Sequence, residues 1–179
     1  MAESIGVVYG SALSQLSFEE SCEEQVYLQM QDLNEIFVQN EEFMNLLCAP
    51  VISTEEKSQL IDRVFGGQVL PVVLNFLKVL AENGRFSAFD QVALEVKRMY
   101  LEHKGIKEVL VTSAKPLDDG QMQRLKAAMV ENLGTEVLIV QRVDETLMGG
   151  LNVEFDGKRA DASVAARLRQ LEHTIKEGV

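Results

Sequence analysis

A chain of 179 residues, 46% of them hydrophobic, can form one or two domains that bury roughly 70% of their unfolded surface, so it needs neither disulfides nor a structural metal. Its net charge of −11 repels phosphate backbones and anionic lipid, which argues against nucleic acid and direct membrane binding. Cys22 and Cys48 form no C-x-x-C pair and read as free thiols of a reducing compartment; no apolar run approaches about 18 residues, so no membrane insertion is expected, and no signal peptide is visible.

In chain order, Ile5, Val8, Tyr9, Ala12, Leu13 and Leu16 recur at helical spacing and predict a first helix over 4–16. Gly10 inside it should cost about 1 kcal/mol of helix propensity. A longer second helix is expected over 18–39, with Cys22, Val26, Met30, Leu33 and Phe37 inward. Phe43, Leu46 and Leu47 make a short third helix that ends before Pro50, because proline disfavours helix in the residue preceding it. Ser53 and Glu56 have the spacing of a capping box, which starts a fourth helix with Leu60, Ile61, Val64 and Phe65 inward; Gly66-Gly67 stops it.

The fifth helix, over 69–82, is apolar on most sides. Such a helix is either the buried centre of a bundle or lies under a partner. In the second reading part of it, with the first helix, forms an open groove for an amphipathic helix from another chain. A sixth helix over 87–103 carries Phe89, Val92, Val96, Met99 and Tyr100 inward. Six helices with short loops imply a bundle over 1–104.

After residues 103–105 the period changes. Residues 106–113 are β-branched and read as a strand. A helix follows, capped by Asp118 or Asp119, with Met122, Leu125, Met129 and Leu133 inward. Residues 137–143 read as a second strand, Met148-Gly149-Gly150 as a bend, and Leu151, Val153 and Phe155 as alternate positions of a third strand. Asp156-Gly157 is a turn dipeptide, and Asp161 or Ser163 can cap a closing helix with Val164, Leu168, Leu171 and Ile175 on one stripe. The expected class is therefore α+β: a six-helix bundle over 1–104, then a small α/β domain over 105–179 with about three strands and two helices.

Charge is uneven. Residues 1–104 carry sixteen acids against seven Lys and Arg, and none of those cations precedes Lys57, whereas residues 105–179 carry twelve acids against ten. The acidic front half is either a solvated surface or the complement of a basic partner segment.

Groups that could converge on chemistry are scarce. His103 and His173 fall at helix ends in different halves of the chain, and with no Cys/His cluster no transition-metal site or cofactor is expected. A strand follows Gly149-Gly150, where a phosphate loop would need a helix with Lys and Ser/Thr. Ser163 lacks the G-x-S-x-G setting of a nucleophile elbow. Asp144, Asp156 and Asp161 suit turns and caps as well as they suit an acid–base pair.

Four stretches resemble one family. They are VVYGSAL (7–13), EEKSQLIDRVF (55–65) with NFLKVLAENGRF (75–86), TSAKPLDDGQ (112–121), and the set Val143, Asp144, Leu147, Gly149, Gly150, Asp161, Ser163, Arg167, Leu168 and Leu171. Together they are similar to the ATP synthase delta subunit, whose mitochondrial counterpart is the oligomycin-sensitivity-conferring protein. Gly10 departs from the alanine usual in the first motif. The resemblance implies a non-catalytic stator subunit at the cytoplasmic face of a bacterial membrane. It also implies that the N-terminal domain binds the N-terminal segment of an alpha subunit and that the C-terminal part binds the C-terminal ends of b subunits. Tyr9, Leu13, Phe76 and Leu80 are the expected head-facing residues. The competing expectation is a small enzyme or ligand-binding protein with a site between the domains, near Gly149-Gly150.

Overall fold

The structure is a computed structural model, which describes residues 5–147, 151–155 and 158–161. It is mostly helical with a small mixed sheet, and it divides into two compact units, Met1–His103 and Lys104–Val179.

In the first unit the α-helices are α1 Ile5–Glu19, α2 Glu23–Gln39, α3 Glu41–Cys48, α4 Thr54–Phe65, α5 Pro71–Glu82 and α6 Phe89–Lys104. A 3-10 turn, Phe86–Ala88, leads into α6. The first boundary lies later than the apolar pattern suggested. α1 runs on through Ser17 and Phe18, because Ser17 is buried and its hydroxyl donates to the Ser14 carbonyl at 2.7 Å, while the Phe18 ring stacks on His103 at 4.2 Å. The chain then turns through Ser21 at φ 54, and α2 opens with Glu23 and Glu24, whose charges suit the positive end of a helix. The capping box of α4 forms as its spacing implies: the Ser53 hydroxyl accepts from the Glu56 N–H at 3.2 Å, and the Ser53 N–H donates to the Glu56 carboxylate at 3.1 Å.

The core of this unit is built around Phe37 of α2. Its ring meets Phe43, Phe65, Phe86 and Phe89 at centroid separations of 5.9, 5.8, 5.3 and 4.8 Å. Four of the five helices that follow α1 in this unit therefore supply or adjoin one aromatic cluster, and stacked or edge-to-face packing of this kind adds roughly 0.5–1.5 kcal/mol per pair beyond burial. Val73, Leu77, Leu80 and Ala81 of α5 are buried in the same core.

The largest departure from the sequence reading is the orientation of α1. Of its expected inward stripe only Leu13 is buried; Ile5, Val8 and Leu16 are exposed. The face turned inward instead carries Gly6, Gly10, Leu13, Ser14 and Ser17. A β-carbon at Gly10 would meet the β-carbon of Glu95 at 2.6 Å and the Val92 carbonyl oxygen at 3.2 Å, and one at Gly6 would collide with Gln91. Small residues on α1 thus let it lie almost backbone to backbone on α6, which leaves its large apolar side chains pointing elsewhere. The propensity cost expected of Gly10 is real, but it is the condition for this close approach.

The second unit is β1 Lys107–Ser113, α7 Asp119–Leu133, β2 Val137–Val143, β3 Leu151–Phe155 and β4 Lys158–Asp161. The sheet order is β2-β1-β3-β4, with β1 and β2 parallel and the other pairs antiparallel. α7 is the crossover that parallel strands require. Its N-cap is Asp118, whose carboxylate accepts from the Gln121 N–H at 2.8 Å, and Gly134 at φ 64 ends it. Val109, Val111 and Val137 are the fully buried centre, with Leu125, Met129 and Leu133 of α7 half-buried against them.

Among the described residues four strands are present where about three were expected. Residues 158–161, KRAD, show no apolar alternation, so periodicity gives no strand signal there. They form a strand because β3 offers a backbone edge: Phe155 pairs with Lys158 and Asn152 with Asp161. Asp161 is accordingly the last residue of β4. Gly149, Gly150, Ser163 and Leu168, and the closing helix expected over 164–175, lie outside the described residues.

Candidate partner-binding groove

α1 and α5 flank an apolar groove of about 550 Å³. The α1 wall is Tyr9, Ala12, Leu13 and Leu16. The opposite wall is Leu70 with Val72, Phe76 and Val79 of α5. The Tyr9 and Phe76 rings touch edge to face, with centroids 6.3 Å apart and planes at 68°. Their contact fixes the width between the two walls.

Two local features position these walls. On α1, the small-residue face held against α6 turns the opposite, bulky face outward. On α5, residues 73, 77, 80 and 81 face the core while 72, 76 and 79 face the groove. A helix apolar on nearly all sides can serve both, and α5 does: it is the centre of the bundle on one side and a groove wall on the other. Pro71 sits at its first turn, and the Leu70 N–H, which precedes the helix, donates to the Gln29 side chain at 2.9 Å. Lys78 ties α5 to α4 through Asp62 at 2.6 Å.

The expected site residues divide accordingly. Tyr9 and Phe76 are half-buried walls, and Leu13, almost fully buried, is the floor. Leu80 is 0% exposed and lies on the core side of α5, so it cannot meet a partner. The neighbouring Val79, 42% exposed, holds the wall position instead. A one-residue step along a helix turns a side chain by about 100°, which separates the two. Ala12, Leu16, Leu70, Val72 and Val79 were missed as walls. The available signal was the run of small residues at 6, 10, 14 and 17, which marks the buried face of α1 and hence its free one.

One end of the groove is polar. Glu20 and Cys22 line it where α1 turns into α2, and Glu20 is the one charged residue among the described lining. Burial raises the Cys22 thiol above the ordinary cysteine value, and the carboxylates of Glu20 and Glu23 raise it further. The thiol is therefore protonated and weakly reactive at neutral pH.

The second unit contains a separate cavity of about 1050 Å³, walled by Leu117, Leu125, Leu147 and Leu151 and rimmed by Lys115 and Arg124. The Ser113 hydroxyl at its edge donates to the Lys115 carbonyl at 2.7 Å and accepts from Gln141 at 3.4 Å, so it is engaged in holding the loop. Among the described residues no group of three or more His, Cys, Asp or Glu could hold a metal ion, and no helix is long and apolar enough to cross a membrane.

Comparison with known proteins gives a consistent result. The family model described as ATP synthase delta (OSCP) subunit matches residues 5–175. The ATP synthase subunit delta of Parasynechococcus marenigrum is 33% identical over 172 residues, covering 96% of this chain and 94% of the relative. That of Alkaliphilus metalliredigens is 30% identical over 175 residues, covering 98% and 97%. Among solved structures, a chain of the Toxoplasma gondii mitochondrial ATP synthase hexamer has the same fold, with a TM-score of 0.71 at 24% identity, covering 97% of this chain and 98% of that one. The motifs and the match over residues 5–175 agree, and the chain belongs to the ATP synthase delta (OSCP) subunit family, whose members are structural and not catalytic subunits of the enzyme.

Proposed function

We propose that the groove between α1 and α5 receives the N-terminal segment of the ATP synthase alpha subunit as an amphipathic helix. As a delta subunit the chain is a non-catalytic part of the stator, linking the catalytic head to the peripheral stalk so that proton-driven rotation is coupled to ATP synthesis. The observation that carries the groove assignment is the division of α5 between core and open wall. α5 is about 18 Å long, which suits three turns of an incoming helix. Each apolar anchor it buries contributes roughly 1.5–3 kcal/mol, from which the costs of association are subtracted, so a micromolar complex needs several such anchors.

In this reading residues 1–104 act as the head-binding domain, and residues 105–179 as the domain that holds the C-terminal ends of the b subunits. The apolar cavity beside Leu117, Leu125 and Leu147 favours a helical or extended apolar segment there. The site of action is the cytoplasmic face of a bacterial cell membrane, reached through the assembled complex. The test is titration of the cognate alpha N-terminal segment, as a synthetic peptide, against the full chain. Saturable binding at micromolar concentration or tighter supports the assignment; no binding at that level overturns it.

A further inference from the structure

An apolar groove flanked by two helices can accept an amphipathic helix in either of two opposite directions, because apolar contacts carry little directional information. Something must choose between them if the head is to be held in one orientation. The described lining offers a single charge, and it stands at one end: Glu20, beside Cys22, where α1 passes into α2. Glu20 has no ion-pair partner among the described residues. Nor could one come from nearby sequence, since no Lys or Arg precedes Lys57. Glu23 opens α2 close to Glu20, and the two carboxylates add to burial in raising the Cys22 thiol. The rest of the lining is apolar apart from Asn75 and the Tyr9 hydroxyl, both uncharged.

We propose that Glu20 sets the direction and specificity of the helix bound between α1 and α5, by pairing with a Lys or Arg at the end of the partner's apolar stripe. The inference rests on the groove reading above and adds the chemistry of the partner: an amphipathic helix whose basic residue lies at one end of the stripe, with no acidic residue there. Because Glu20 is exposed at the rim, its pairing acts chiefly on encounter and register, and it contributes modestly to final affinity. An acidic residue brought to the same place would be repelled, so the site also rejects the reversed helix.

The experiment uses the full chain and the labelled N-terminal peptide of the alpha subunit from the same genome, at low and high salt. Three variants are compared: Glu20→Gln, Glu20→Lys and Val79→Asp. The expected result is that Glu20→Gln weakens binding roughly two- to fivefold at low salt and flattens its salt dependence. Glu20→Lys weakens it further, and a peptide with the partnering basic residue changed to Glu recovers affinity for Glu20→Lys alone. If both Glu20 variants bind the native peptide as the unaltered chain does, while Val79→Asp abolishes binding, the groove assignment stands and the role of Glu20 is overturned. If Val79→Asp also binds normally, the peptide docks elsewhere and the groove assignment falls with it.

Discussion

Gly10 of α1 and Glu95 of α6 approach so closely that a β-carbon at residue 10 would stand 2.6 Å from the Glu95 β-carbon and 2.8 Å from its γ-carbon. The same carboxylate accepts from Ser11 at 3.4 Å and is gripped by Arg98 through two bonds, at 3.0 and 2.8 Å. The position of α1, and with it one wall of the groove, thus depends on a glycine and a buried acid.

Gly10→Ala sets two effects against each other. Alanine gains about 1 kcal/mol of helix propensity, whereas overpacking against an anchored β-carbon and a backbone oxygen costs roughly 1–3 kcal/mol. The obstructing atoms are at the root of the Glu95 side chain, where they cannot swing away, so the steric cost should prevail. Urea or thermal unfolding should show the variant less stable by about 1 kcal/mol, with weaker binding of the alpha peptide. A more stable Gly10→Ala would mean that α1 can lift off α6 freely.

Glu95 should make stability depend on pH in a defined direction. Its bond from Arg98 chiefly, together with that charge and the Ser11 hydroxyl, holds its carboxyl below the ordinary glutamate value of 4.5 despite burial. A group with a depressed folded-state value contributes stability that is fully present above the ordinary value and is lost as the pH falls through the folded one. Glu95→Gln should therefore be less stable than the native chain at neutral pH, by about 1 kcal/mol for the weakened hydrogen bonds. The gap should narrow in acid below the ordinary glutamate value. A difference that stays constant over that range would show that Glu95 acts by shape alone.

Val79 and Leu80 are neighbours with opposite expected phenotypes. Val79→Ala removes a wall residue that is 42% exposed, and should leave stability within about 0.5–1 kcal/mol while weakening peptide binding. Leu80→Ala opens a cavity in the core and should cost about 2–5 kcal/mol. Paired unfolding curves and titrations would separate them; equal stability losses would put both side chains in the core.

Cys22 offers a readout of groove occupancy. It lines the groove, whereas Cys48 is exposed elsewhere and is not part of that lining. Saturating alpha peptide should slow alkylation of Cys22 severalfold and leave Cys48 unchanged, as followed by mass spectrometry of the labelled peptides. Equal rates with and without peptide would place the docked segment away from the α1–α2 end.

Asp118 caps α7, and the small core of the second unit makes that cap matter. Asp118→Ala removes the carboxylate that accepts from the Gln121 N–H, while the residue-118 N–H can still donate to the Gln121 side chain, and should cost about 1 kcal/mol. Amide exchange should rise in the first turn of α7, and an unchanged exchange pattern would show that packing on β1 and β2 alone holds that end.

Much of this protein is written locally. The Ser53–Glu56 and Asp118–Gln121 boxes, the proline that opens α5 and the alternation of β1 follow from short-range spacing, since caps and amphipathic periods are decided within a few residues. The family motifs are likewise local strings. Tertiary structure decided which face of α1 turns inward, against the bulky apolar stripe. Periodicity sees bulky residues at 5, 8 and 16, but the close approach to Gln91 and Glu95 selects the glycine and serine face, because only small side chains let two backbones meet. It likewise decided that Leu80 is core while Val79 is wall, and that the polar run 158–161 is a strand. Those outcomes depend on neighbours distant in sequence, and on backbone hydrogen bonds that side-chain pattern does not record.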